Sequence, residues 1–331
     1  MRGDLRAEMY HGGGGRAREG ANTSRRGYSG QAGISAHDER SHASTYIAQE
    51  DRAMFEIPEC VTISGQMAEH LSAKCIAEGT LGNSPHKFVW YNRDPGEFSS
   101  LVKGKVMGEA TSKGRWIMVP INPGYVLLFG ECGGKIILHP SASQLPKKYH
   151  LSLHFTDGAA LSATTQMWGA MELYEKGKEL ERKYIHGMRP TPTDAAFTAA
   201  YLASLIEESL TEGPRSVKGL LAQDQFIPGL GNAIAQDIMF RAKLHPRRPV
   251  STLSKRQIHA LHRAIVEIVG EAIRLGGRND EIDLFGNRGR YVRQMDKTAV
   301  GRPCPECGSR IEKMSYLGGS CYYCPECQPV E

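Results

Sequence analysis

The tetrapeptide Cys-Pro-Glu-Cys occurs twice near the C-terminus, as Cys304–Cys307 and Cys324–Cys327, with 16 residues between the copies. A C-x2-C turn sets two thiolates on one side of a tight loop. Two such turns complete a tetrahedral four-cysteine site of the kind that holds structural zinc. Cys321 makes an overlapping C-x2-C with Cys324, so a second ligand set exists, but the repeated turn favours Cys304, Cys307, Cys324 and Cys327. Four thiolates leave no open coordination position, so one zinc ion here is expected to hold structure and not to catalyse. Its work is to stabilise a module of about 30 residues that is too small to bury a core of its own. Cys60, Cys75 and Cys132 lie far from these turns and read as buried or free thiols.

The other residues of this 331-residue chain suffice for about two further domains. No run approaches the ~18 consecutive apolar residues of a membrane span. Residues 1–53 are a different matter. They hold eight Arg and seven Asp or Glu, with apolar residues too sparse to show a helical or strand period. Such a segment cannot bury enough surface to offset its ordering entropy. It reads as a disordered extension, or as sequence upstream of a start at Met54. It lacks the apolar core of an export signal, and Arg25-Arg26 is not followed by an apolar stretch. The expectation is therefore a reducing, cytoplasmic setting, where cysteines serve as metal ligands more often than as disulfides.

The period of the pattern changes along the folded part. Ile63, Met67 and Leu71 fall on one helical face. Short β-type runs follow at Trp116–Val119, Tyr125–Phe129, Lys135–Leu138 and His150–Phe155, separated by turns such as Asn122-Pro123-Gly124. Together they predict an antiparallel sandwich or barrel with a flanking helix over 54–184, and of the two a β-sandwich is taken as the expected fold. From Thr193 the period is helical. Thr193-Asp194 is a candidate cap for a helix through Leu210, and Ser254-x-x-Gln257 a candidate capping box for the helix carrying Ile258, Leu261, Ile265, Ile268 and Ile273. Gly276-Gly277 ends that helix. The expected fold class is α+β and multidomain, with a helical domain over 190–298 and the four-cysteine finger over 299–328.

Between two helices of the second domain runs Val217-Lys-Gly-Leu-Leu-Ala-Gln-Asp-Gln-Phe-Ile-Pro-Gly-Leu-Gly-Asn232. Gly229 and Gly231 permit positive φ and close backbone approach. Asn232 is a good N-cap, and open N–H groups at a helix start can receive an anion such as phosphate. The chain's net charge of +5 is mild, but residues 211–303 hold 16 Lys or Arg against 9 Asp or Glu, a local excess of +7. A basic half of this kind suits a nucleic-acid partner.

These pieces resemble the Fpg/Nei family of DNA glycosylases. The likeness rests on LLAQDQFIPGLGNAIAQDIMFRAKLHP, on C-x2-C-x16-C-x2-C closing in CPECQ, and on Met54-Phe-Glu-Ile-Pro-Glu59 standing where the family opens Met-Pro-Glu-Leu-Pro-Glu. It covers about residues 54–328. The resemblance implies a helix–two-turn–helix element and a zinc finger that clamp double-stranded, damaged DNA, acting as a monomer at the nucleoid. It implies extrusion of the damaged base, attack at the sugar carbon by the N-terminal proline amine, and proton transfer by the neighbouring Glu. Carried over by position, the acid is Glu56, the phosphate-holding Asn is Asn232, and the helix Lys is Lys218. Lys113-Gly114-Arg115-Trp116 stands for the β-loop, with Arg115 in place of its Lys.

The departures are specific. Phe55 replaces the proline and has no ring amine. The finger arginine of the family falls at Gly319, and its void-filling residues fall at Gln166, Trp168 and near Cys132. Trp168 remains a candidate wedge between base steps. Three functions follow. The first is a glycosylase in which Glu56 activates water or protonates the leaving base, with Lys218 or the Met54 amine as a source of lyase activity. The second is a non-catalytic binder of damaged or distorted DNA. The third is a zinc-ribbon protein that acts on RNA or within a protein assembly.

Overall fold

The computed structural model describes residues 54–166 and 168–330, so the expected N-terminal extension lies outside the described residues. Helix α1 (Ile57–Leu71) opens the described chain, with Pro58 in its first turn. Glu59 closes that turn: its Oε2 accepts the Glu56 N–H at 2.9 Å. Ile63, Met67 and Leu71 are fully buried, as their spacing predicts.

Strands β1 (Ile76–Leu81), β2 (Val89–Trp90), β3 (Val106–Met107), β4 (Thr111–Lys113), β5 (Trp116–Asn122), β6 (Tyr125–Gly130), β7 (Gly134–His139), β8 (Leu151–Phe155), β9 (Ala160–Thr165) and β10 (Gly169–Glu175) form two sheets. One has the order β1-β8-β9-β7. The other runs β2-β10-β6-β5-β3, with β4 also paired to β5. The pairings are antiparallel except β2 with β10, which is parallel. The sheets pack face to face: Ile136, Leu151, Leu153 and Leu161 of one share a core with Ile117, Val119, Leu127, Phe129 and Met171 of the other. The four aliphatic runs predicted as strands are β5 to β8.

The helical region comprises α3 (Ala199–Thr211), α4 (Val217–Ala222), α5 (Asn232–Arg241) and α6 (Lys255–Arg274), preceded in the sandwich by the short α2 (Pro95–Val102). Two expectations about helix starts are corrected. Thr198 caps α3, its Oγ1 accepting the Tyr201 N–H, whereas Asp194 accepts from the Thr191 N–H and hydroxyl and folds a separate turn ahead of the helix. Asn232 is the first helical residue of α5, and Gly231 is its N-cap. The Ser254–Gln257 capping box is present as expected, and α6 ends before Gly276 and Gly277, both at positive φ.

A strap over residues 278–295 then returns to the sandwich before the finger begins. Its Leu284 is buried in the sandwich core, with its N–H bonded to Gln66 Oε1 and its carbonyl accepting from Leu138 N. Its far end is held by α5, where the buried Asp237 accepts from the Tyr291 hydroxyl and the Met295 amide. The finger carries the hairpin β11 (Glu312–Tyr316) and β12 (Gly319–Tyr323). Among the described residues no helix is long and apolar enough to cross a membrane.

Candidate nucleic-acid interface

Three turns converge on one cleft of about 510 Å³. The first is the turn between α4 and α5. Gly229 takes φ +90°, and a Cβ there would lie 2.3 Å from Ile57 Cγ1 and 2.7 Å from Gly114 Cα, so only glycine lets the turn meet the sandwich. Asp224 and Gln225 also hold positive φ. Gln225 braces the turn from inside, accepting from Gly229 N and donating to Leu230 O.

The second is the β4–β5 hairpin, which brings Arg115 to the cleft. Its guanidinium donates to Leu230 O at 2.7 Å, pairs with Glu131 at 3.2 Å and reaches Met54 Sδ at 3.4 Å. Lys113 of β4 is half-buried. The third is the tip of the finger hairpin. Lys218, 2% exposed, donates its ammonium to Tyr316 O and Gly319 O. Asn232 donates to Ser320 O, and its own side-chain oxygen accepts from Gln236. A Cβ on Gly319 would stand 3.4 Å from Lys218 Nζ and 3.6 Å from Asn232 Nδ2, so the hairpin sits directly on the helix start.

Glu56 occupies the centre. Its two carboxylate oxygens accept the Ala233 and Ile234 N–H groups at 3.0 and 3.2 Å. The anion that the start of α5 holds is therefore this side chain, 177 residues away in sequence, where the open amides had pointed to a phosphate. Gly231 makes room for it: a Cβ there would stand 2.4 Å from Glu56 Oε1. Behind Glu56 lies Arg278, 1% exposed, paired with Glu59 at 3.0 Å and with Glu56 and Glu281 at 3.7 and 3.6 Å. The sequence reading missed Glu59, Arg278 and Glu281. Only Glu59 carried a signal, as the third residue after a cap. Five cationic side chains line the cleft (Arg115, Lys218, Arg278, Arg293, Lys297) against the carboxylates of Glu56, Asp280 and Asp296.

Phe55, at the family's proline position, is a core residue, 1% exposed, with its N–H bonded to Cys132 O. Trp168 lies outside the lining of the cleft, stacked on Trp90 at 5.3 Å and against Phe88 at 4.4 Å. Cys60 and Cys132 are buried, and burial pushes the Cys132 thiol up to about 12, so both stay protonated.

The sulfurs of Cys304, Cys307, Cys324 and Cys327 lie within 4.8 Å of one another, a four-thiol set that fits a tetrahedral metal ion. Cys321 is outside this set; it is fully buried in β12 and faces Lys218.

Sequence comparison agrees with this geometry. Residues 54–167 match the formamidopyrimidine-DNA glycosylase N-terminal domain, and residues 188–282 match the H2TH domain of the same enzymes. A formamidopyrimidine-DNA glycosylase of Bacillus licheniformis is 30% identical over 281 residues, which is 83% of this chain and 99% of that protein. The chain belongs to the formamidopyrimidine-DNA glycosylase family. A Listeria innocua glycosylase of the same name is 29% identical over 280 residues, covering 83% of this chain and all of that one. The Lactococcus lactis Fpg bound to DNA with an abasic site superposes with a TM-score of 0.71 at 24% identity, over 82% of this chain and 99% of that one. Its complex with N7-benzyl-Fapy-dG DNA gives 0.72 at 25% identity, over 83% and 99%. In this chain a β-sandwich, a helix–two-turn–helix element and a C-terminal four-cysteine cluster share one α+β fold.

Proposed function

We propose that the chain binds damaged duplex DNA in this cleft and excises a modified base by hydrolysing its N-glycosidic bond. The observation that carries this reading is the meeting of Glu56 with the α4–α5 turn and the finger hairpin on one cleft. The reacting sugar carbon is unreachable inside a base stack, so the nucleotide must be extruded. With Phe55 at the proline position, water is the nucleophile. Its oxygen bonds to C1′, the C1′–N bond breaks, Glu56 takes the water proton, and the base leaves with a proton from solvent. The four cysteines are proposed to hold one zinc ion, which stiffens the finger so that β11–β12 keeps its place on Lys218 and Asn232. Arg115, Gly231 and Asn232 line the cleft and are proposed to meet the phosphates, with Lys113 and Gly229 on the two turns beside them. Lyase activity through Lys218 requires its amine to leave Tyr316 O and Gly319 O and to lose a proton.

The runner-up is a non-catalytic binder of damaged DNA. It is favoured by the burial of Phe55 and by the two amides that already occupy Glu56. Duplexes with oxidised or ring-opened bases decide between them. Excision predicts released base from at least one duplex and its loss in Glu56→Gln. Tight binding with no release from any duplex supports the binder, and full release by Glu56→Gln removes Glu56 from the chemistry.

A further inference from the structure

We infer that Arg278 is a positioning residue for Glu56, a buried guanidinium that fixes the carboxylate against the start of α5; the inference rests on the excision activity proposed above. Arg278 follows α6 after Leu275, Gly276 and Gly277, and opens the strap. Its Nη2 donates to Met54 O at 2.7 Å and to Glu59 Oε2 at 3.0 Å, while its Nε and backbone N–H both donate to Glu59 Oε1. The other arm, Nη1, stands 3.7 Å from Glu56 Oε1. Glu59 in turn accepts the Glu56 N–H. One side chain thus touches the residue two before Glu56, the carboxylate that caps its backbone, and its own carboxylate.

The fork geometry is what makes this possible. A planar guanidinium presents five donors in fixed directions, which an ammonium on a flexible stem cannot reproduce. The strap is built to deliver it. Gly277 takes φ +93°, and a Cβ there would meet Glu59 Oε1 at 3.2 Å. A Cβ on Gly289 would lie 2.2 Å from Gly277 O, so the returning strand of the strap also needs a glycine. Leu284 and Tyr291 then fasten the strap to the sandwich and to α5. Glu56 is held from two sides, by Arg278 and by the Ala233 and Ile234 amides.

A group that only stabilised the fold would change melting and not the chemistry of Glu56. The test compares wild type, Arg278→Lys, Arg278→Gln and the surface control Arg241→Gln. Single-turnover base release is read separately from duplex affinity, and exchange of the Ala233 and Ile234 amides is followed by NMR. Arg278→Lys is expected to bind duplex as wild type does and to release base about tenfold more slowly, because one ammonium cannot hold Met54 O, Glu59 and Glu56 at the same time. Amide exchange at 233 and 234 is expected to quicken about tenfold in both Arg278 variants and not in Arg241→Gln. Should Arg278→Gln fail to fold, Arg278→Lys carries the test. Unchanged rate and unchanged exchange in folded Arg278→Lys would overturn the inference. If wild type releases no base, the excision activity fails by itself, and the exchange measurement alone decides whether Arg278 holds Glu56.

Discussion

Glu281 offers a test of the buried charge cluster that does not depend on DNA. It is 7% exposed, and its Oε1 has no hydrogen-bond partner. It shares Arg278 with Glu59 and Glu56, both buried still more deeply, so three carboxyls compete for one guanidinium. Burial pushes the Glu281 carboxyl from 4.5 up to about 8, with Arg278 opposing and the neighbouring carboxylates adding to the rise. The folded value lies above the unfolded one, so the folded state holds the proton more tightly. Stability from this group is fully present below about pH 4.5 and is lost as pH rises towards 8. About 3.5 pH units at ~1.4 kcal/mol each bound the loss at roughly 5 kcal/mol. Glu281→Gln keeps the shape and removes the titration. Relative to wild type it should be nearly neutral at pH 5 and more stabilising at each step to pH 8, by about 6–10 °C in melting temperature at the upper end. Comparing variant with wild type cancels other buried acids such as Asp237, whose carboxyl burial also raises. Melting scans of the metal-loaded proteins at pH 5, 6, 7 and 8 read the difference directly. An equal loss of stability at every pH would show that Glu281 is an ionised partner of Arg278 and refute the reasoning.

Three further outcomes follow from the geometry. Chelating the metal should loosen the finger and weaken duplex binding about a hundredfold at fixed salt, since Lys218 and Asn232 lose the carbonyls they hold; unchanged affinity and melting after chelation would contradict the four-thiolate account. Gly231→Ala places a methyl 2.4 Å from Glu56 Oε1 and should cut base release by ten- to a hundredfold with a smaller effect on affinity, and wild-type kinetics would show that Glu56 needs no such room. Leu284→Ala empties a fully buried site in the sandwich core and should cost about 2–5 kcal/mol, read by denaturation; a loss under ~1 kcal/mol would mean the strap is not anchored there.

Local chemistry was legible in the chain. Two C-x2-C turns, the Pro-Gly-Leu-Gly corner and the Ser254–Gln257 box each act over a few residues, and each is found where spacing predicts. Strands β5 to β8 were readable because their aliphatic runs are bounded by turn residues. β9 was not, because Ala160, Ser162 and Ala163 are small and buried without alternating polarity. Helix starts were misjudged by one residue at Asn232 and by several at Thr193, since Ser, Thr, Asp and Asn fold turns as readily as they cap helices. The centre of the site lay beyond any local pattern. Glu56 caps a helix 177 residues away, and Arg278 reaches Glu59 across 219. Trp168 gave no hint that Trp90 and Phe88 would cover it.

In the proposed complex the α4–α5 turn and the finger hairpin grip the same duplex. Hydrogen exchange with and without a duplex carrying an abasic site measures it directly. Protection is expected together at residues 229–234 and 317–322, rising and falling with one binding curve, and lost from both when the metal is removed. Protection confined to one of the two segments, or two segments that saturate at different DNA concentrations, would contradict a shared cleft.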